Sequence, residues 1–452
     1  MKLSTFSGGI MDRFTGVLGF LALIMPFGPA FAQAFEEDLA RFEGNASVFT
    51  ALTQNRVDTA AGTDSETEGR LGLEGGLAGE WVSGGNSALL DYSARVETSR
   101  NSDIGSGGDN SSITGLSRFA HADPSNPFEF NAGHTVRTVR NNTGFLIDPT
   151  NYDTQNIVNA GAGLRLTPGA LTTVRVSADG ARAYGDSDEG DTDSYTAKVN
   201  LERRLSQRSF GLVNGSRSWS DEGATEVTID AYQVGYRSAD DFGTFSIGGG
   251  VSEAETELPS GLVTESDGVT AFLTKDWVTT DWTTSFSYNR TLSDSAIDLV
   301  LNPQTPDDFS ENVRLNEVVL SDRFDLRHTR RTLCDVCDFS VQVSGEIRES
   351  KESGETTHEL GAGLDLGIQI SNLQRLEFRY LWQAETEENA SEVQEQVHRF
   401  NSRWVRQLAE FTTFAVEFNQ AYLRSKRQRP DEEEFELRLV LTHGFSLIGQ
   451  GR

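Results

Sequence analysis

Residues 359–370, Glu359-Leu360-Gly361-Ala362-Gly363-Leu364-Asp365-Leu366-Gly367-Ile368-Gln369-Ile370, carry an apolar side chain at every second position and carboxylate, glycine or amide between. Successive side chains of a strand point to opposite faces, so this period of two describes a strand with one face in an apolar medium and one in water. The rule extends in both directions. Leu376, Phe378, Tyr380 and Trp382 alternate with Arg375, Glu377, Arg379 and Gln383, with Leu381 falling on the polar side. Phe414, Val416 and Phe418 alternate with Thr413, Ala415, Glu417 and Asn419, and Phe435, Leu437, Leu439 and Leu441 with Glu434, Glu436, Arg438 and Thr442. A soluble antiparallel sandwich has the same period, so alternation alone does not decide the fold.

Connector lengths do. About 20 strand-like segments can be counted, and the gaps between them alternate between short and long. Short gaps include 83–86, 167–170, 205–208, 239–241 and 371–374; long polar ones are 57–69, 99–111, 141–154, 184–193, 257–267, 294–312, 349–357, 385–396 and 424–432. Outer-membrane barrels have short periplasmic turns and longer outer loops, whereas a sandwich has no reason to alternate them. Strands of about 11 residues then leave about 10 for each connector. The expected fold is all-β, a transmembrane antiparallel up-and-down barrel of about 18 to 20 strands with both termini on the periplasmic side. The pattern is faintest at 111–120 and 207–237.

Lys2 and Arg13 precede an apolar run from Val17 to Met25, broken by Pro26, Gly28 and Pro29, and Ala30-Phe31-Ala32 places small residues before Gln33. That is the grammar of a secretory signal peptide over residues 1–32, with Met11 as an alternative start. The run is too short for a spanning anchor. Residues 33–44 then form a short periplasmic segment in which Phe35, Leu39 and Phe42 share one helical face. It fits a plug or partner contact at the periplasmic mouth, or a frayed leader. The barrel is expected over 45–447 and a C-terminal tail over 448–452.

The chain has 452 residues, 39 Lys+Arg against 68 Asp+Glu, a net charge of −29 and 44 Gly; its mean hydropathy is −0.41. A helical membrane bundle needs several apolar runs of about 20 residues, and nucleic-acid binding needs a basic stripe, so both are excluded. Loss of residues 1–32 removes Lys2, Arg13 and Asp12, leaving 37 basic against 67 acidic residues and a net charge of −30. The length suggests about three soluble domains, yet no linker or composition shift divides the chain.

If the apolar faces meet lipid, the opposite faces point inward and carry both signs of charge. The lumen-lining candidates are Arg323, Asp325 and Arg327; Arg375, Glu377 and Arg379; Arg399 and Arg403; and Glu436 and Arg438. Lys198, Glu202 and Arg204, with Arg175 and Asp179, repeat the pattern earlier. Two readings stand side by side. Guanidinium groups on a watery wall suit the passage of hydrophilic solutes, saccharides among them; facing Arg and carboxylate pairs can equally form ladders that fill and stiffen the interior. Tyr152, Tyr184, Trp219, Trp277, Trp282, Tyr288, Trp382, Trp404 and Tyr422 lie near strand ends, where interfacial girdles form, although ordinary packing also uses such rings.

The loops are acidic. Asp186, Asp188, Glu189, Asp191 and Asp193 fall in 184–193, and Glu385, Glu387, Glu388, Glu392 and Glu395 in 385–396. Their spacing does not match a calcium loop, so no metal or other cofactor is assigned. Cys334 and Cys337 suit a small turn disulfide in an oxidising compartment, lacking both the βαβ context of a redox centre and a second pair for zinc. The six histidines are scattered and no nucleophile elbow or zincin motif occurs, so the chain reads as a non-enzyme.

The stretch from Asp148-Pro149 through Leu201-Glu202-Arg203-Arg204-Leu205-Ser206 to Tyr236-Arg237 and Gly248-Gly249-Gly250 resembles an outer-membrane β-barrel porin family of proteobacterial exopolysaccharide and exosortase (PEP-CTERM) gene clusters. The resemblance implies a barrel in the outer membrane serving polysaccharide export or surface assembly. It implies lipid, saccharide solutes and periplasmic export proteins as partners, and it carries over no catalytic residue. One departure is the C-terminus: many barrels end on an aromatic residue, whereas Phe445 is followed by residues 446–452.

Overall fold

The computed structural model describes residues 39–59, 62–100, 109–140, 152–185, 191–222, 225–294, 318–334, 336–388, 393–426 and 430–448. They form twenty strands: β1 (Leu39–Thr59), β2 (Gly62–Ser83), β3 (Asn86–Arg100), β4 (Asp109–Ala122), β5 (Phe128–Arg140), β6 (Tyr152–Leu166), β7 (Thr172–Gly185), β8 (Thr192–Arg204), β9 (Ser209–Glu222), β10 (Thr225–Asp240), β11 (Gly243–Glu257), β12 (Val263–Val278), β13 (Trp282–Asp294), β14 (Val318–Cys334), β15 (Cys337–Ser350), β16 (Thr356–Ser371), β17 (Gln374–Glu387), β18 (Glu395–Ala409), β19 (Thr412–Ser425) and β20 (Asp431–Ile448). Each strand pairs antiparallel with the next, and β1 also pairs with β20 from Phe42↔Ile448 to Asp58↔Asp431. The sheet closes on itself as a 20-stranded up-and-down barrel.

Burial sorts the two faces. On β20, Leu437, Leu439, Leu441 and Phe445 are exposed while Glu432, Glu434 and Glu436 are buried. The charged face also borders a cavity reached from β2 to β5 and from β15 to β20, so it is the inner one. Following the pairing register around the wall puts Val199, Val213, Tyr232, Val251 and Val269 on the outer face, all exposed. The alternation read along 359–370 is thus a wall with an apolar exterior and a polar interior. Outward aromatic rings form a row across four strands, Phe378, Phe400, Phe418 and Phe435, with centroids 6.2 to 6.4 Å apart.

Strands are longer than the sequence pattern suggests. They run from 13 to 22 residues, against the 9 to 11 or so that span a hydrocarbon core, so the wall continues past the apolar belt. Most of the segment 57–69 belongs to β1 and β2, which are separated only by residues 60–61, and β9 and β10 are separated only by 223–224. The expected alternation of short and long connectors fails at these two hairpins. Polar residues there are not loop residues but rungs of a ladder standing clear of the belt. The faint stretches at 111–120 and 207–237 form β4, β9 and β10.

Among the described residues the wall is already formed at Leu39, within the segment expected to precede a barrel starting at 45. Leu39 through Gly44 pair with Val82 through Leu77, so the helical face read for Phe35, Leu39 and Phe42 does not exist at its last two positions; Phe35 lies outside the described residues. Phe42 instead covers Gly79, where an added Cβ would come within 2.2 Å of its ring. At the other end β20 continues three residues past Phe445. In the turn 123–127, Asp123 accepts from the backbone and hydroxyl of Ser125, which holds its carboxyl below the usual carboxylate range.

Leu439 lies in the middle of the outward row of β20 and is 39% exposed. Leu439→Arg is expected to cost about 2 to 4 kcal/mol in lipid vesicles, measured by urea unfolding.

Candidate functional site

The inner wall from β15 around to β2 carries a relay of ion pairs. Arg375 reaches Asp338 at 2.9 Å and Glu377 at 2.8 Å. Arg403 joins Glu377 at 3.6 Å to Glu417 at 2.9 Å, and Arg438 joins Glu417 at 3.5 Å to Glu74 at 2.6 Å. The register makes this possible: Glu377 faces Arg403, Arg403 faces Glu417 and Glu417 faces Arg438 across successive strands. Arg379 pairs with Asp365 at 2.7 Å alongside. Deeper in the wall, Arg70 lies between Glu68 at 3.4 Å and Glu436 at 3.7 Å, and Asn419 donates to Glu436 at 2.9 Å.

A cavity of about 790 Å³ opens against this wall, with Arg375, Glu377, Arg379, Arg399 and Arg438 among its lining residues. Of the other expected lumen residues, Arg403 and Glu436 belong to the ion-pair network beside it. Arg323, Asp325 and Arg327 do not join them. Arg323 pairs with Asp325 at 3.1 Å on β14, and Arg327 lines a separate recess of about 410 Å³ with Thr244, Asp276 and Ser285. The ten residues read from the sequence therefore occupy two places, because β14 and β17 lie apart around the wall.

Sequence reasoning missed the contribution of the first strands. Glu74, Ser93, Arg95 and Thr114 also line the large cavity. Phe49, on β1, faces inward and is 1% exposed. Its ring is flanked by the guanidinium of Arg438 at 4.0 Å and that of Arg95 at 4.6 Å, an arrangement in which the cations lie over the negative face of the ring. It fits only because position 72 is glycine: a Cβ there would fall 2.3 Å from its Cζ. The alternation on β1 gives no warning, since Phe49 and Ala51 point inward while Val48 and Leu52 point outward.

The relay is nearly charge-compensated, with the three guanidiniums of Arg375, Arg403 and Arg438 set against the four carboxylates of Asp338, Glu377, Glu417 and Glu74. A guanidinium held by two carboxylates is not a strong isolated anion site, so the wall offers many hydrogen-bonding groups at little net field. Across the barrel the inward faces of β11 to β13 present Ser246, Thr274, Ser285 and Ser287. Both sides can bond to hydroxylated solutes. Cys337, the first residue of β15, is disulfide-bonded, and the side chain of Cys334 lies outside the described residues. Asp191 and Asp193 pair with Arg182, at 2.5 and 3.8 Å; Asp186, Asp188, Glu189 and Glu392 lie outside the described residues. Glu385 and Glu395 are strand residues that face each other.

Arg438 and Glu417 are only 13% and 14% exposed. Removing one partner leaves a half-buried charge, so Arg438→Ala is expected to cost about 3 kcal/mol, and adding Glu417→Ala to recover part of that loss, both measured by urea unfolding.

No protein-family model and no curated relative matches the chain. Solved structures do, at low identity. The FrpB iron transporter of Neisseria meningitidis (F5-1 variant) is 9% identical with a TM-score of 0.47, over 92% of this chain and 84% of that one. OccK2 (OpdF) of Pseudomonas aeruginosa, solved with glucuronate, is 11% identical with a TM-score of 0.38, over 90% and 98%. The outer-membrane protein OpdK of Pseudomonas aeruginosa is 11% identical with a TM-score of 0.38, over 89% and 99%. The chain is similar to these proteins in its barrel architecture alone.

Proposed function

We propose that this chain is an outer-membrane channel that passes small hydrophilic solutes. The observation that carries the reading is the inner cavity of about 790 Å³, bordered by charged and hydroxyl side chains on a wall whose other face is apolar. A closed sheet with an apolar exterior suits a bilayer, because it leaves no strand edge in hydrocarbon. The polar interior suits water and whatever dissolves in it. Residues 1–32 fit as a secretory leader, which delivers the chain to the periplasm from which such barrels insert.

The compensated relay refines the solute class. With arginines and carboxylates paired along the wall, neutral polyhydroxylated solutes can bond to it without a large electrostatic barrier for either sign. Saccharides meet that description. The finer link to surface polysaccharide export rests on the resemblance of residues 148–250 alone, and predicts that oligosaccharides slow the ion current.

A second reading, a closed structural barrel whose ends bind a partner, is favoured by one observation: Glu68, Arg70, Glu432, Glu434 and Glu436 are all buried inside the wall. Tight packing on that side narrows the interior.

Planar-bilayer recording separates the two. The channel reading expects steady steps of conductance with weak preference between K⁺ and Cl⁻, and swelling of protein-loaded liposomes in monosaccharide solution. Sealed bilayers at high protein load would remove it.

A further inference from the structure

We infer that the outer ends of β13 and β14 are folded into the barrel mouth and form its size-limiting constriction, latched by Asp294. The inference rests on the channel reading for its consequence, though not for its geometry.

Among the described residues the wall opens at the outer ends of two strand pairs, β4 and β5, which pair only as far as Gly115↔Val136, and β12 and β13. β12 pairs with β11 as far as Val263↔Glu257, but its pairing with β13 stops at Ala271↔Arg290. β13 and β14 continue together to Asp294↔Val318. Where β13 leaves β12, the Arg290 guanidinium donates to the Val269 carbonyl at 3.1 Å, meeting one acceptor that the ladder no longer reaches. Beyond this point the paired ends no longer continue the regular wall beside β12.

Contacts give their direction. Leu292, Val318 and Leu320 form one buried cluster with Val227, Ile229 and Ala254. The register around the sheet puts Val227, Ile229 and Ala254 on the inner faces of β10 and β11, since their strand neighbours Tyr232 and Val251 point outward and are 60% and 52% exposed. Gly268, on the inner face of β12, lies under the same ends: an added Cβ would come 3.1 Å from Leu320 Cδ1 and 3.7 Å from Leu292 Cβ. Ser220, on β9, donates its hydroxyl to the Asp294 carboxylate, joining two strands that stand four apart in the wall. An interaction across that interval requires the end of β13 to lie over the inner surface of β9 to β12.

The coverage is one-sided. Ser194, Ser220, Thr225, Ser252 and Thr256 are buried on the inner faces of β8 to β11 near their outer ends, while Val263 and Val269 remain exposed on the outer face. Burying Leu292, Val318 and Leu320 against three apolar partners holds the ends down, and the serine–carboxylate bond fixes their register. The lumen loses cross-section at this mouth, and that limits the solute admitted.

The test uses the full chain in planar bilayers and in sugar-loaded liposomes. Asp294→Ala combined with Leu320→Ala should raise single-channel conductance at least about 1.5-fold and admit larger oligosaccharides than the wild type. Ser220→Cys with Asp294→Cys, bridged by a short bifunctional thiol reagent, should hold the wild-type conductance, and reductive release of the bridge should raise it; wild type under the same reductant controls for the native disulfide. Conductance and sugar cut-off equal to wild type in Asp294→Ala/Leu320→Ala, and in Ser220→Cys/Asp294→Cys after release of the bridge, overturn the inference. A silent wild type with a conducting Asp294→Ala/Leu320→Ala variant would uphold the constriction and overturn the open-channel reading. Silence of all forms would overturn both.

Discussion

Everything in this molecule follows from the need to pair every backbone amide of a sheet that has one apolar face turned outward. In hydrocarbon an unpaired edge costs several kcal/mol for each exposed group, and β1 and β20 remove the edge by pairing over Phe42 to Asp58. Closure then divides the chain's residues between two media. The apolar half of each strand becomes an exterior, and the other half must make its own polar interior.

That interior is not a free cationic surface. Charges come to it at two-residue intervals along strands about 4.8 Å apart, so an arginine on one strand necessarily meets a carboxylate on the next if the sequence places one there. Glu377, Arg403, Glu417 and Arg438 are such a run. The two readings of these residues, solute-facing groups or stiffening ladder, are not alternatives in this geometry. The pairs stiffen the wall and still border a cavity, and their mutual compensation leaves it many hydrogen-bonding groups at little net field. Phe49 extends the same logic with an uncharged member, placing a ring between two guanidiniums over a glycine.

Much of this was legible in the chain. Period-two alternation along 359–370 and 434–442 identifies the strands and their outward faces, and the inward Arg and Glu follow from parity alone. Strand lengths were not legible, because polar rungs above the belt, such as 57–59 and 62–69, look like loop when only lipid-facing residues are counted. Nor was the strand already present at Leu39, where Leu39, Phe42 and their spacing fit a helix as well as an edge-closing strand. Which inward residues meet around the wall depends on register, so the separation of Arg323 from Arg375, and the meeting of Glu74 and Arg95 with Arg438, lie beyond any single-strand pattern. The inward turn of β13 is of the same kind, since Leu292 and Leu320 carry the parity of lipid-facing residues and are covered only because the wall bends.

The whole arrangement requires that the charged face border water and the alternate face border lipid. Single cysteines at neighbouring positions probe this: Asn419→Cys, on the cavity wall, and Phe418→Cys, in the outward aromatic row, each reconstituted in vesicles and exposed to a charged membrane-impermeant thiol reagent. Rapid modification of Asn419→Cys with a fall in conductance, and protection of Phe418→Cys, is the expected result. Protection of Asn419→Cys, with modification of Phe418→Cys, would overturn it.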